Sequence, residues 1–461
     1  MLWSVGAISL SLVVLMMVAY RGLPVVVFAP LCAALAVALS GRAMLPAYTE
    51  SFMPGAATYI QSFFPLFLLG AIFGKLMEAS GSAGVIAARV VDSLGPHRAI
   101  PAVVFACAVL TYGGVSLFVV AFAVYPFGAL LFRQAAIPKR LLPGAIALGA
   151  FTFTMDALPG SPQVQNLIPT RYFGTDAYAA PGLGIVGGLI ILVAGLSWLE
   201  LRRARAARAG DGYGDGHRNE PEALTDQHRP SLVMALAPLV AVLVTNFVGS
   251  RSRWSVAAWY SEESLRHSFP TIKIESATPT WSLILALLTG IVLTLLLHGP
   301  RLRTSFVPGL NLATSGALLA IFNTASEVGY GSVVKSLPGF EVVRGWVLGI
   351  SAGVLVSEAV AVNLLAGITG SASGGLSIAL EVMGKSYLEA ASAQGVSPEW
   401  LHRIGAMASG GMDTLPHNGA VITLLALTGL THRESYGDIF AITVIKTVTV
   451  LTLALAASSW R

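Results

Sequence analysis

The chain has 461 residues, of which 55% are hydrophobic and 11% charged, and its formal net charge at pH 7 is +5. Such a composition lies outside the range of water-soluble globular domains, which carry about 25% charged residues. The basic excess does not indicate a nucleic-acid partner, because membrane proteins collect Lys and Arg beside the cytoplasmic ends of their spans. Both cysteines lie within apolar runs, which is typical of packing and not of a disulfide framework or a redox site.

Apolar runs of about 17 to 20 residues recur along the chain and are long enough to cross a hydrocarbon core of about 30 Å. The clearest occupy residues 2–20, 23–40, 183–199, 231–249, 281–298 and 437–457. The first run lacks the basic start and cleavage site of a secretory signal, and a second run follows at once, so we interpret it as a retained helix. The sequence predicts an all-α polytopic membrane protein with about 11–12 transmembrane helices.

Three short motifs recur in the same order at nearly one spacing. SFMPG at 51–55 returns as SFVPG at 305–309, GGVSL at 113–117 as GGLSI at 374–378, and MDALP at 155–159 as MDTLP at 412–416. Collinear repetition of this kind predicts two homologous units. We expect an extra N-terminal transmembrane helix at 1–22, repeat unit one at 23–199 and repeat unit two at 281–461. The intervening residues 200–280 should hold a flexible cytoplasmic linker, one transmembrane helix and an outer amphipathic loop.

The apolar stretch 99–132 is too long for one span and is interrupted at the sequence YGGVS. We therefore expect a re-entrant hairpin, which enters and leaves on one side of the membrane and has its tip near Gly113. Each unit then makes an even number of crossings, and the single span at 231–249 inverts unit two relative to unit one. Two inverted repeats follow, with the linker in the cytoplasm and both termini outside, as a modest excess of Lys and Arg on the cytoplasmic side also indicates.

Polar, proline-containing segments interrupt apolar sequence at 151–170 and again at 409–423. Unpaired backbone groups cost several kcal/mol each in lipid, so irregular backbone at membrane depth must be covered by protein or line a wet cavity. Pro159 and Pro416 cannot donate a hydrogen bond and obstruct the preceding turn, so both are predicted to break helices, the first of them near 156–159. Together with the two hairpin tips, these broken helices should converge near the midplane, which is the architecture of a secondary transporter.

Five titratable residues are candidates for proton coupling. Asp156 and Asp413 lead, because burial in a low dielectric favours the protonated form of a carboxylate, although each could instead cap the half-helix after its break. His417 titrates in a useful range, but a histidine beside a break could equally satisfy a carbonyl group. Glu327 and Glu358 lie in apolar surroundings and could carry a proton or hold the architecture together.

Four segments carry a resemblance to a known family: TYGGVSLFVVAFAVYP, MDALPGSPQVQNLIPTRYFGT, NLLAGITGSASGGL and SGGMDTLPHNGAVITLL. They resemble the gluconate permease family, the gluconate:proton symporters of bacteria, over nearly the whole chain. The version MDTLPHNGAVITLLALTGLTHRESY is similar to the branch of D-beta-hydroxybutyrate permeases. The resemblance implies proton symport of a small sugar acid or hydroxy acid across the bacterial inner membrane, and a homodimer that moves its substrate by an elevator-like displacement.

By motif position, the resemblance also implies that polar groups of the hairpin tips and breaks surround the substrate. These are Gly113, Gly114, Ser116, Ser161, Gln163, Gln165, Asn166, Asn363, Thr369, Ser371, Ser373 and Asn418. None of these groups is an arginine, and Arg171, the one arginine inside the four segments, is expected at a surface, so helix N-termini, amides and hydroxyls would bind the carboxylate. Lys446 in the last apolar run faces no obvious acid, and we expect it to form a buried ion pair or to snorkel.

Other function classes fit the sequence less well. Sodium coupling is the main alternative to proton coupling, because unwound carbonyls with Asn and Thr side chains are good sodium ligands. A membrane-embedded enzyme is disfavoured, since there is no HExxH, no GxSxG and no metal-spaced His or Cys cluster, and we expect neither a cofactor nor a metal. A passive channel would not need two broken helices that each carry an acid. The expected partners are a small carboxylate substrate, protons or sodium, and the lipid bilayer.

Overall fold

The computed structural model describes residues 2–21, 23–221, 230–251, 254–265, 268–269, 273–350, 352–416 and 418–459, and every regular element within them is helical. The N-terminal half contains α1 (Leu2–Tyr20), α2 (Val25–Leu39), α3 (Met44–Ala47), α4 (Met53–Ala79), α5 (Ser82–Leu94), α6 (Ala99–Tyr112), α7 (Leu117–Gln134), α8 (Leu142–Ala150), α9 (Phe153–Asp156), α10 (Ile168–Phe173) and α11 (Pro181–Arg208). The C-terminal half contains α12 (Leu232–Arg251), α13 (Glu262–Leu265), α14 (Ile274–Leu302), α15 (Phe306–Ser336), α16 (Phe340–Leu348), α17 (Val354–Thr369), α18 (Ala372–Ala393), α19 (Pro398–Ser409), α20 (Gly419–Thr428) and α21 (His432–Ser459).

Six helical segments of the described chain are long and apolar enough to cross a membrane: Met44–Ala79, Pro181–Arg208, Leu232–Arg251, Ala277–Leu302, Phe306–Ser336 and His432–Ser459. The helices α5 and α6 satisfy the same criterion together, but the chain bends by 100° between them. The helices α1 and α2 belong to a set of shorter apolar helices. The prediction of an all-helical polytopic membrane protein is confirmed. Its count of 11–12 transmembrane helices stays a prediction, because it requires several shorter helices to cross as well.

The helices of the two halves follow the same order, and their contacts are reciprocal. In chain order α4, α6, α7, α8, α10 and α11 correspond to α15, α17, α18, α19, α20 and α21. The short helix α10 packs on α18 and α19, and its counterpart α20 packs on α7 and α8. Such exchanged contacts are what an approximate two-fold axis between the halves produces. The residue boundaries of the two repeat units remain a prediction.

The corresponding helices α4 and α15 pack against each other in opposite directions. Near the start of α4, a Cβ built on Gly55 would lie 2.9 Å from Cβ of Ser332, close to the end of α15. Near the end of α4, Lys75 contacts Gly309 in the first turns of α15. Small residues at such points let two backbones approach closely. Equivalent helices that run antiparallel are the relation expected of inverted repeats.

Two helical hairpins lie where the sequence placed their tips. The helices α6 and α7 pack together and are joined through residues 113–116, while α17 and α18 are joined through Gly370 and Ser371. Gly114 has φ +91°, and a Cβ there would lie 3.1 Å from the ring of Pro162, so only glycine suits both the turn and the space. Gly370 likewise has φ +66°. The tip of the first hairpin is thereby held against the first break.

The first break begins earlier than the sequence predicts. The helix α8 ends at Ala150, ahead of the expected opening at 156–159, and Asp156 lies in the single turn α9. The Thr152 hydroxyl donates to the carbonyl of Leu148 (2.5 Å) and the Thr154 hydroxyl to that of Gly149 (2.7 Å). These bonds occupy the last carbonyls of α8 and compete with continued helix. Pro159 therefore lies within the irregular segment instead of ending the incoming helix, which corrects its predicted role.

The second break follows the expected glycines more closely. The helix α19 ends at Ser409, immediately before Gly410 and Gly411, and α20 begins at Gly419. Pro416 lies in the irregular segment between them, so it too extends a break that has already begun. In both halves the irregular stretch is longer than one proline requires, and its backbone needs partners from elsewhere in the protein.

Part of the predicted flexible linker packs against the helices. The segment 213–220, which we call the strap, packs on the ends of α7 and α20. Lys139 has a fully buried side chain whose Nζ donates to Glu220 Oε1 (2.7 Å) and to the carbonyl of Arg218 (2.9 Å). Asn219 Nδ2 donates to the carbonyl of Ala426 (2.8 Å). The strap thus supplies the counterion of a buried lysine, and the flexibility of the linker stays a prediction. Residues 222–229 lie outside the described chain.

Glu220 should make the contribution of the strap to the free energy of unfolding depend on pH. Burial raises the pKa of Glu220, but hydrogen bonds donated by Lys139 and Tyr213 outweigh it and leave the pKa below the ordinary 4.5. Glu220→Gln should lower the free energy of unfolding by about 1–3 kcal/mol, because Lys139 stays buried without its counterion. A carboxyl group whose pKa is lowered by folding stabilises the folded state fully only above its pKa in the unfolded chain, about 4.5. The difference in unfolding free energy between wild type and the variant should therefore be largest at pH 7 and shrink as the pH falls below 4.5.

The measurement is thermal unfolding in detergent at several pH values, with the exposed Glu389→Gln as the matched control. A difference that stays constant from pH 7 to pH 4 would contradict the assignment of Glu220.

Candidate functional site

The two breaks meet against α21 in the protein interior. Asp156 from the first break and Lys446 from α21 form a salt bridge between Oδ2 and Nζ, and both side chains are 0% exposed. The second break contacts this pair through Gly410. Lys446 therefore belongs to a buried ion pair, which is one of the two roles that the sequence allowed. Its partner, Asp156, is one of the two leading candidate acids. The pair joins residues far apart in the chain and brings both breaks to one place.

Two glycines allow the second break to approach this closely. A Cβ on Gly410 would overlap both Lys446 Nζ and Asp156 Oδ2. A Cβ on Gly411 would overlap Asn363 Oδ1 and lie 3.0 Å from Thr447 Oγ1. The backbone of the second break thus lies directly on the salt bridge and on α17. No larger side chain fits at either position without movement of these polar groups.

Several buried oxygen atoms around the pair have no hydrogen-bond partner among the described residues. They are Oδ1 of Asp156, Oδ1 of Asp413, Oδ1 of Asn363 and Oγ1 of Thr447. Asp413 is 7% exposed and interacts electrostatically with Lys446 and with Asp156. An unsatisfied buried polar group costs about 1–3 kcal/mol, and native proteins retain few of them. A cluster of acceptors beside a buried ammonium can bind protons, cations or the polar groups of a ligand.

Arg403 supports the first break from the other half of the chain. This fully buried residue of α19 donates through Nε and Nη2 to the carbonyl of Ala179 (3.0 and 2.8 Å) and through Nη2 to that of Ala177 (3.1 Å). Its Nη1 donates to the carbonyl of Asp156 (3.1 Å) and to Asn166 Oδ1 (2.7 Å). The guanidinium thereby serves carbonyl groups that the irregular backbone leaves without helical partners.

Two predicted binding residues fasten the breaks to the hairpin tips. Gln163 Nε2 donates to the carbonyl of Thr111 (2.8 Å) at the first tip. Asn418 Nδ2 donates to the carbonyl of Gly370 (2.7 Å) at the second tip, and its Oδ1 accepts from the backbone of Ala420 (2.6 Å) at the start of α20. Each half therefore uses one side-chain amide to link its broken helix to its hairpin. The helix-cap interpretation, which we considered for the acids, applies to Asn418 instead.

Further predicted residues also support the backbone. The Ser161 hydroxyl donates to the carbonyl of Thr154 (2.8 Å), and Asn166 Nδ2 to the carbonyls of Ser161 and Ala177 (2.9 Å each). Ser371 Oγ accepts from the backbone of Gly374 (3.0 Å) and caps α18. The remaining candidates lie at the tips or breaks: Gly113, Gly114, Ser116, Gln165, Thr369 and Ser373. Substrate binding by any of these groups stays a prediction.

The predicted glutamates are buried at other contacts. Glu327 on α15 is 2% exposed, and its carboxyl lies against Gly374 in the first turn of α18, where a helix N-terminus favours negative charge. Glu358 on α17 is 0% exposed, packs against Gly405 of α19, and has no partner for either oxygen in the described chain. His417 lies outside the described residues. The structure therefore places Asp156 and Asp413 together and gives each glutamate its own surroundings.

Sequence reasoning missed Arg403 and underrated Lys446. The available signal was a basic residue next to an apolar stretch of its helix, IGAMA after Arg403 and IFAITVI before Lys446, since a basic residue at membrane depth suggests a function by itself. Neither residue belongs to a repeated motif, because the corresponding positions of unit one hold Ile146 and Leu189. A search restricted to repeated motifs therefore overlooks them.

The contact between Gly410 and the salt bridge predicts a sharp difference between two glycines. Gly410→Ala should destabilise the protein by about 1–3 kcal/mol and impair transport, because the added methyl group overlaps Lys446 and Asp156. Gly419→Ala is the matched control, since no atom lies within 4 Å of a Cβ built there. Thermal unfolding in detergent checks both variants. Equal stability of the two would show that the second break does not lie on the pair.

Comparison with known proteins agrees with this architecture. The model of GntP family permeases matches residues 1–300. A Bacillus subtilis (strain 168) protein, the uncharacterized transporter YxjC, is 49% identical over 458 residues, which is 97% of each chain. The crystal structure of the YdaH transporter of Alcanivorax borkumensis shares the fold, with a TM-score of 0.55 at 17% identity over 88% of this chain and 87% of that one. The chain belongs to the GntP permease family and is a multi-pass transporter of the bacterial inner membrane.

Proposed function

We propose that this transporter brings a small hydroxy-monocarboxylate, such as a gluconate-like sugar acid or 3-hydroxybutyrate, into the cytoplasm together with protons. The observation that carries the proposal is the buried Asp156–Lys446 pair where two broken helices meet, with Asp413 beside it. A transporter needs a site that both sides of the membrane can reach in turn, and such sites are built from discontinuous helices at a repeat interface. The resemblance of the four motifs to gluconate permeases supports the substrate class.

Asp413 is the acid that we assign to proton coupling. Asp156 is held by Lys446, whereas Oδ1 of Asp413 has no partner among the described residues and the group interacts with Lys446 only through space. Isolated charge is costly to bury, so an acid without a full counterion gains from binding a proton. Asp413 also belongs to the second break, whose irregular backbone can rearrange more readily than a helix.

Sodium coupling is the second candidate, and the unpartnered oxygens of Asn363, Thr447 and Asp413 favour it. Oxygen atoms of this kind coordinate sodium in transporters with unwound helices. The Lys446 ammonium group opposes it, because a second cation in the same low-dielectric cluster is repelled by about 3–4 kcal/mol at 4–5 Å. We therefore favour the proton. The proposal also includes a homodimer and an elevator-like movement, both implied by the family resemblance.

Asp413→Asn separates coupling from binding. We expect uptake driven by an inward proton gradient in sodium-free proteoliposomes to fall at least about tenfold, because the amide cannot carry a proton. Exchange of internal for external substrate should continue, since it needs no net proton movement. The control is Glu389→Gln, an exposed acid. Wild-type accumulation by Asp413→Asn would refute the proton role, and uptake by the wild type only with sodium would favour the second candidate.

The direction of transport depends on a predicted topology that labelling can test. The last turns of α11 are rich in arginine, which indicates the cytoplasmic side. Gly212 just beyond them is exposed, with open space around it, and both native cysteines are buried. A cysteine introduced by Gly212→Cys should react with a membrane-impermeant maleimide in inside-out vesicles and not in intact cells. Labelling in intact cells would reverse the orientation.

A further inference from the structure

Three cations in the described chain are fully buried, and they differ in how their hydrogen atoms are used. Lys139 is bonded to the strap, and Arg403 is bonded to carbonyls of the first break and to Asn166. Lys446 donates only to Asp156 Oδ2 among the described residues. An ammonium group carries three donor hydrogens, so Lys446 retains two for other acceptors.

Arg403 cannot serve a substrate without loss of the first break. Each of its three nitrogens donates to a backbone carbonyl, either that of Asp156 in the first break or those of Ala177 and Ala179 between α10 and α11. A substrate that recruited this guanidinium would take away the bonds it donates to the buried carbonyls of Asp156 and Ala179. The Ala177 carbonyl also accepts from Asn166 and from the backbone of Gly160. Among the described residues, the cation suited to the carboxylate of a substrate at the meeting point of the breaks is therefore Lys446.

The charged groups near Lys446 bear on how many protons must accompany a substrate anion. Among the described residues, the charged groups near this site are Asp156 on α9, Asp413 on the second break and Arg403 on α19. Arg403 also lies near Asp176 and Glu399, which form salt bridges with Arg251. A monocarboxylate adds one negative charge, and one proton on Asp413 cancels it. Burial of uncompensated charge is unfavourable, so a loaded site should hold one proton for each monocarboxylate.

We propose that Lys446, held in position by Asp156, is the residue that binds the carboxylate group of the substrate and that it makes the transport cycle electroneutral. The inference rests on the proposed function and adds the group that recognises the anion. It explains why the motifs at the tips and breaks need no arginine of their own. It also predicts selection against dicarboxylates, because a second carboxylate would need a second proton or a second cation in the same site.

The test compares each acid with its neutral amide. The probes are 3-hydroxybutyrate with 3-hydroxybutyramide and gluconate with gluconamide, and binding to the purified full-length protein is measured by calorimetry in detergent at pH 7. Wild type should bind at least one acid more than about tenfold better than its amide. Lys446→Gln combined with Asp156→Asn should lose this preference, with the acid and the amide bound equally within about threefold.

The double substitution removes both members of the buried pair, so that neither charge is left alone, and it keeps side chains of similar size. The matched control is Lys139→Gln combined with Glu220→Gln, which removes the buried pair at the strap and should keep the preference for the acid. In proteoliposomes of wild type, a potassium diffusion potential should leave the accumulation ratio unchanged. A ratio that rises with an inside-negative potential would contradict electroneutral transport.

The possible failures can be told apart. If wild type prefers the acid and the Lys446→Gln, Asp156→Asn variant keeps that preference, carboxylate binding by Lys446 is refuted and the proposed function stands. If the strap variant loses the preference to the same degree, the effect is global and the assignment to Lys446 is likewise refuted. If wild type binds neither the acids nor the amides, the proposed function fails and the inference fails with it.

Discussion

The salt bridge between Asp156 and Lys446 is the interaction on which the interior depends. It lies where the first break, the second break and α21 meet, and both side chains are fully buried. Removal of one partner of such a pair leaves a lone charge in a low-dielectric interior, which costs about 3–5 kcal/mol. Gly410 then follows from it, because the second break can approach the pair only where it carries no side chain.

The other polar residues of the site meet a second requirement, which is that backbone N–H and C=O groups at membrane depth need hydrogen-bond partners. Irregular backbone survives there because protein groups replace the missing helical bonds. Arg403 serves carbonyls of the first break, while Gln163 and Asn418 tie each break to a hairpin tip. Many polar side chains in this region therefore hold the backbone. The buried oxygen atoms near Lys446 that have no hydrogen-bond partner among the described residues are the groups available to bind a ligand. The functional proposals therefore concern this one small region.

Much of the architecture could be predicted from the printed residues. Apolar run length indicated a helical membrane protein, the hairpin tips lie at the predicted glycines, and the polar segments around Asp156 and Asp413 are broken helices. The predictions that failed depended on contacts between distant residues. The helix α8 ends at Ala150, where threonine hydroxyls take its last carbonyls, and Lys139 is buried against a segment of the linker that pairs with it. Neither contact has a signature in local composition.

The sequence by itself determined that this protein lies in a membrane and which two polar segments interrupt its helices, because hydropathy and the conformational limits of proline and glycine act over short stretches of chain. Only the tertiary structure decided which charges meet. Lys446 and Asp156 are 290 residues apart, more than half the length of the chain, and no local pattern pairs them. Electrostatic energy depends on distance in space and on the surrounding dielectric, and both are set only when the two halves pack together.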